Sequence, residues 1–279
     1  MEHGTGWERH KRIHFDEIVL NYDKVRPEYP DELFEDIFKY SGPEKGKKAL
    51  EIGAGTGKAT VPFLNAGYDV TAVEISANMA EFLLERFEGY RNFNVIVSTF
   101  EDALLKEDNY DLIYAASAFH WVDAEIGCPK VFRLLKNGGT VALLRYNFNI
   151  VPADGEELHE EIQAVYEKYY YTYYSISNTK TVRMTKEKFE KSPKILSGYG
   201  FEDLSVYGFR DVSMKLYDAT RIYGADEWIG LLGTLSDHRS LPECNRAALY
   251  AGIKEAITKH GGRHEVDFVF QLYMGRKME

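Results

Sequence analysis

Several things are scarce in this chain, and each scarcity narrows what it can be. Its 279 residues hold two cysteines, Cys128 and Cys244, far apart and outside any CxxC spacing. That pattern argues against a disulfide framework or a thiolate metal site and fits the reduced thiols of a cytoplasmic protein. The eight histidines form no HExxH, and His3, His10 and His14 lie among charges, where solvated side chains are expected. No metal is expected. No stretch offers 18 uncharged apolar residues, and the opening MEHGTGWERHKRIHF lacks an apolar signal core. Neither a membrane span nor a signal peptide is therefore expected. Positive charge is short as well: 34 Lys and Arg face 44 Asp and Glu, for a net charge of −10. That balance disfavours nonspecific nucleic-acid or anionic-membrane partners, both of which need a basic face.

What is plentiful is aromatic, with 20 Tyr and 16 Phe. A chain of this length suits one large α/β domain or a domain with a sizeable insertion. DELFEDIFKY places Leu33, Phe34, Ile37 and Phe38 at helical spacing, with Asp31 as the expected N-cap and SGPEKG as the stop. KKALEIGA reads as a buried strand entering a glycine turn, and GKATVPFLNAG as a helix ended by Gly67. DVTAVEI reads as a second strand, and SANMAEFLLERFEG as a helix capped by Ser76 and stopped at Gly89. FNVIVSTF and YDLIYAASA are the third and fourth strands. AEIGCPKVFRLLKNGG is a helix ending in the Asn137-Gly138-Gly139 turn, and TVALLRYNF is the fifth strand. Alternation from Lys48 to Phe148 predicts a doubly wound, mostly parallel α/β sheet with helices on both faces. In such sheets the ligand lies beyond the carboxyl ends of the strands, so the loops after Ile52, Val73, Thr99 and Ala115 matter. After Asn149 the rhythm breaks. The expected organisation is 1–150 as an N-terminal cap segment and ligand-binding core, 151–197 as an inserted lid over the site, and 198–279 as strands and helices completing the sheet and pocket.

The glycine turn, LEIGAGTGKAT, decides the ligand class. It fails the GxxxxGK[ST] phosphate loop, because Gly57-Lys58 is followed by Ala59. It also fails the dinucleotide pattern GxGxxG/A, whose sixth position here is Lys58. Glu51, two residues before Gly53, would oppose a pyrophosphate and suit a cationic ligand without phosphate, such as S-adenosylmethionine. The alternative is that Glu51 only fastens the loop by accepting backbone N–H bonds. Glu74 ends the second strand, 21 residues after Gly53, where a carboxylate can accept both ribose hydroxyls of an adenosine.

With these residues in hand, the chain resembles the class I S-adenosylmethionine-dependent methyltransferases. It is most similar to the small-molecule branch of trans-aconitate methyltransferase-like and ubiquinone-biosynthesis-type enzymes. LEIGAGTGKAT, VTAVEIS, STFEDA, YDLIYAASAFHWVD, LLKNGGTVAL and the upstream YDKVRPEYPDELFEDI carry the resemblance, which covers about 21–147 well. It implies a seven-stranded Rossmann-like sheet and S-adenosylmethionine as cofactor. It implies that Glu51, Gly53, Ala54, Gly55, Thr56 and Gly57 wrap the methionine part and that Glu74, Ile75 and Met79 meet the ribose side. Thr99, Phe100 and Glu101 would meet the adenine, Ala115, Ala116 and His120 would follow from the fourth strand, and Tyr22 and Arg26 would close over the cofactor. Relatives often carry Asp where Thr99 stands, so Glu101 or Asp102 would take the adenine amino group and Phe100 would stack on the base.

Methyl transfer from a sulfonium is an in-line displacement that gains from alignment and water exclusion. A base is needed only if the acceptor must lose a proton. His120 is the candidate base, or else orders its loop by packing beside Trp121. Trp121 is expected to wall the pocket, and Thr234, Ser236 and His238 to touch a small-molecule acceptor. VYEKYYYTYYS, residues 165–175, is a lid helix that either lines the acceptor cavity or packs on the sheet. The readings that compete with a small-molecule methyltransferase are a macromolecular one, acting on RNA or protein, and a non-catalytic binder of the same cofactor.

Overall fold

The computed structural model describes residues 19–42, 45–150, 156–176, 201 and 203–278. Helices α1 (Val19–Val25) and α2 (Asp31–Ser41) come first, then strand β1 (Lys48–Ile52), α3 (Thr60–Asn65), β2 (Asp69–Glu74), α4 (Ala77–Arg86) and β3 (Phe93–Val97). Next come β4 (Tyr110–Ala116), α5 (Ala124–Leu134), β5 (Leu135–Ile150), α6 (Glu156–Tyr166) and, after a π-turn over Glu167–Tyr171, α7 (Thr172–Tyr174). The described chain closes with β6 (Arg210–Gly224), α8 (Ala225–Leu232), α9 (Ser236–Arg239), α10 (Glu243–Lys259) and β7 (Arg263–Arg276).

The seven strands form one sheet in the order β3-β2-β1-β4-β5-β7-β6. β1 pairs in parallel with β2 and β4, β2 with β3, and β4 with β5. The chain winds outward from β1 to β3 and then returns to lay β4 on the other side of β1. The switch point, where α/β sheets bind ligands, therefore lies between the carboxyl ends of β1 and β4. β1 and β4 are buried almost end to end, as strands covered by helices on both faces must be.

The chain divides into two compact units. One comprises Glu28–Tyr146, Glu190–Tyr217 and Phe270–Glu279; the other comprises Met1–Pro27, Asn147–Phe189 and Asp218–Val269. In the first, Phe63 of α3 is fully buried among the rings of Phe34, Phe38, Tyr68 and Tyr114, the last at 4.1 Å between centroids. A second apolar cluster joins Ile52, Val73, Phe100, Ile113, Phe119, Val131 and Leu143. In the other unit, the carbonyls at the end of α1 are gathered by Arg221, which donates to Lys24 and Arg26, and by the Tyr223 hydroxyl, which donates to Val25.

Local boundaries differ from expectation: β3 ends at Val97 rather than running through Ser98-Thr99-Phe100, α3 starts at Thr60 rather than Gly57, and three further differences have a clear cause. Pro30, not Asp31, is the N-cap of α2; Asp31 is its first residue and adds negative charge to the first turn. α4 ends at Arg86, with Phe87 rather than Gly89 closing it, because Phe87 is drawn into the core. α5 stops at Leu134 instead of running to the Asn137-Gly138-Gly139 turn. Pairing of Leu135 with Tyr110 of β4 starts β5 early and overrides the helical pattern of LLK. Ser76 caps α4 as its sequence implies, its Oγ accepting the Met79 N–H at 3.0 Å. Of the expected lid, residues 156–176 are described, and 151–155 and 177–197 lie outside the described residues.

Candidate active site

The loops at the carboxyl ends of β1, β2, β3 and β4 all belong to the first unit, and the site grows from them. β1 carries Glu51 into the interior, with no exposed surface, beneath the glycine turn rather than at its mouth. Its Oε2 accepts from the Thr60 hydroxyl at 2.6 Å and the Tyr114 hydroxyl at 3.0 Å. Its Oε1 is buried without a hydrogen-bond partner. Burial raises this carboxyl. The two hydroxyls oppose the rise and the charge of Glu74 adds to it, leaving the group pushed up to about 7. A nearby cation is what favours the charged form of such an acid.

Glu74 accepts two backbone N–H bonds, from Gly55 to Oε2 and from Ser76 to Oε1, both 2.9 Å. One carboxylate thus ties the glycine turn to the start of α4. The turn itself is left-handed at Gly53 (φ 69°), Gly55 (φ 56°) and Gly57 (φ 84°). At Gly53 the demand is also steric: a Cβ there would lie 2.5 Å from the Cβ of Ala118, so the loops after β1 and β4 touch. At Gly57 a Cβ would meet the Phe87 ring at 2.6 Å and Leu83 at 2.9 Å. Arg86 closes the turn from outside, its Nη1 donating to the Thr56 carbonyl at 3.0 Å, while Ala54 and Thr56 are buried. Ile75 is half-buried just past Glu74, whereas Met79 is fully buried in the packing of α4.

After β3, Thr99 Oγ1 donates to Asp102 Oδ2 at 2.7 Å and accepts the Asp102 N–H at 3.1 Å. Glu101 is half-buried and Asp102 exposed. Phe100 is buried, with the Phe119 ring 6.4 Å away and the Lys130 ammonium 5.1 Å from its centroid, so packing occupies it. After β4, Ala115 is buried and Ala116 half-buried. Ser117 then takes a left-handed φ of 53°, a strained conformation typical of functional sites. Its Oγ accepts from the Tyr29 hydroxyl at 2.8 Å. A 3₁₀ turn over Phe119–Trp121 follows. Phe119 anchors it in the core beside Phe201, leaving His120 and Trp121 half-buried with their rings 5.0 Å apart.

Tyr22, Arg26, Thr234 and His238 belong to the other unit. There the Arg26 guanidinium lies 4.8 Å from the Tyr22 ring centroid and donates to the Thr234 carbonyl at 2.9 Å. The Thr234 hydroxyl donates to Leu231, and Ser236 is fully buried. Tyr166, Tyr170 and Tyr174 share one face of the aromatic helix. Tyr166 meets His238 Nε2 at 3.2 Å, Tyr170 donates to the Asp237 carboxylate, and Tyr174 donates to the Asp237 carbonyl at 2.6 Å. Burial depresses the His238 imidazole, with Asp237 opposing.

Sequence reasoning missed Arg86, Lys130 and the Tyr29–Ser117 bond, since each acts on a partner at least 27 residues away. The one local signal is Ser117, a small polar residue in place of the glycine that positive φ favours. Among the described residues no group of His, Cys, Asp or Glu is placed to hold a metal ion, and no helix is long and apolar enough to cross a membrane.

Residues 50–143 match a family model described as a methyltransferase domain. The chain is 31% identical over 136 residues to an uncharacterized methyltransferase of Mycobacterium tuberculosis, covering 49% of this chain and 53% of that one. It thus spans about half the length of that relative. It is 24% identical over 241 residues to an uncharacterized methyltransferase of Schizosaccharomyces pombe, covering 86% of this chain and 85% of the other. Among solved structures, phosphoethanolamine N-methyltransferase 2 of Haemonchus contortus, in complex with phosphomonomethylethanolamine and S-adenosylhomocysteine, is similar with a TM-score of 0.52. Identity is 16%, over 95% of this chain and 58% of that one, a likeness of fold.

Proposed function

We propose, from the match of residues 50–143 to a methyltransferase domain and the motifs that resemble class I S-adenosylmethionine-dependent enzymes, that the whole chain transfers a methyl group from S-adenosylmethionine to a small molecule. The observation that carries the proposal is the buried, unpartnered Oε1 of Glu51 beneath a turn of three left-handed glycines. It fits the ammonium of the donor's methionine end. Glu74, the last residue of β2, presents its carboxylate at the strand tip for ribose hydroxyls, Ile75 offers an apolar edge for the adenine, and Glu101 or Asp102 accepts from its amino group. The donor brings an electrophilic methyl on a sulfonium. The chain's own part is to fix that group in line with an acceptor and to keep water out.

His120, on the turn after β4, takes a proton where the acceptor has one to lose, and Trp121 beside it supplies an apolar wall. The acidic net charge of −10 supports a small acceptor over RNA. The test is turnover with methyl-labelled donor against separate panels of small amines, carboxylates and phenols, bulk RNA, and bulk protein. Label is expected in one class of small molecule; label confined to RNA or protein would overturn the acceptor assignment.

A further inference from the structure

The loop after β3 is held by one side chain from a distant helix. Lys130 of α5 points its ammonium at three backbone carbonyls, of Phe100 at 2.7 Å, Glu101 at 3.0 Å and Ala103 at 2.8 Å. An ammonium has three N–H donors and no acceptor, so the three carbonyls match its whole hydrogen-bonding capacity. The carbonyls converge because Thr99–Ala103 is a single helical turn, closed by the Ala103 N–H on the Thr99 carbonyl at 3.0 Å. The last carbonyls of such a turn have no partner of their own. Beneath them the ammonium also sits over the Phe100 ring.

α5 is itself clamped to the turn after β4. Asp123 caps it, and a Cβ on Gly127 would lie 2.6 Å from Val122 and 2.9 Å from the Phe119 ring. One helix therefore braces both the Phe119–Trp121 turn and the Thr99–Ala103 turn. Burial lowers the Lys130 ammonium, with Arg133 adding to the effect and Asp102 and Glu101 opposing it.

We infer that Lys130 is a positioning residue: it sets the Thr99–Ala103 turn so that the carboxylate of Glu101 or Asp102 faces the adenine amino group of the bound donor. The inference rests on the function proposed above. Lys130 makes no contact with the donor in this role. It acts by fixing the backbone that carries the acceptor groups, and a compact ammonium suits that task better than a planar guanidinium.

The test is the affinity of the full chain for S-adenosylhomocysteine and for S-inosylhomocysteine, in which an oxo group replaces the adenine amino group. The wild type is expected to prefer the adenine form. Lys130→Met is expected to weaken S-adenosylhomocysteine about tenfold, the equivalent of one well-made hydrogen bond, and to bring the preference close to one. Lys130→Gln, which keeps two N–H donors, is expected to fall between, and it provides the same readout if the Met variant does not fold. Equal weakening of both ligands with the preference intact would show a merely structural role and overturn the inference, as would unchanged binding. If the wild type binds neither ligand, the proposed function fails first and the inference with it.

Discussion

Glu51→Gln weakens S-adenosylhomocysteine binding about a hundredfold at pH 8, since truncating one partner of a buried charge pair costs a few kcal/mol. Two further results separate this loss from simple damage. The first is the pH dependence of binding. Glu51 sits near 7 in the ligand-free chain, and an ammonium ligand needs it ionised. Wild-type affinity therefore falls about tenfold per unit as pH drops from 7 to 5, while the ligand's own ammonium and carboxylate keep their charges. The Gln variant shows no such slope.

The second result is the sign of the stability change. The folded pKa lies above the unfolded value of about 4.3. Between the two, the folded chain holds the extra proton, so ligand-free stability falls as pH rises from about 4 to 7. Gln carries no charge and can still accept from Thr60 and Tyr114. At pH 8 the ligand-free variant is accordingly more stable than wild type, by on the order of 2 kcal/mol. Binding lost together with stability gained is read by calorimetry and thermal melts. Lowered stability at pH 8 would mean that Glu51 serves the fold alone.

Gly53→Ala is the second large effect. A non-glycine residue at φ 69° costs about 1–2 kcal/mol. The new Cβ also falls 2.5 Å from the Ala118 Cβ, an overpacking that adds about 1–3 kcal/mol. A melting temperature lowered by about 10 °C, with loss of S-adenosylhomocysteine binding, is expected. Adding Ala118→Gly removes the collision but not the strained φ, so the double variant recovers part of the stability. A double variant no better than the single would place the fault in φ alone and contradict the close approach of the β1 and β4 loops.

The alternating strands and helices from β1 to β5 were legible because each signal is local: buried apolar runs, the Ser76 cap, and glycines where the chain must turn. The place of Glu74 at the tip of β2 was legible for the same reason. The placement of Glu51 was only half legible. Its position beside the turn could be read from the chain, but its burial beneath the turn and its partners Thr60 and Tyr114 are set by the tertiary packing of α3 and β4. Phe100 was expected to stack on a ligand, yet the Phe119 cluster draws it inward; an aromatic residue in a loop does not reveal which side offers it more buried area. Lys130 looked like any helix-surface lysine, and only the fold brings three carbonyls to it. The early start of β5 shows the same competition, with β4 pairing winning over helical pattern at Leu135.

The central claim is that the glycine turn and its two acids hold the amino-acid and ribose ends of a methyl donor. Calorimetric titration of the full chain at pH 8 with S-adenosylhomocysteine and, separately, with NAD tests it most directly. Saturable binding of one S-adenosylhomocysteine per chain, with no heat from NAD, is the predicted result. Saturable binding of NAD with none of S-adenosylhomocysteine would contradict it.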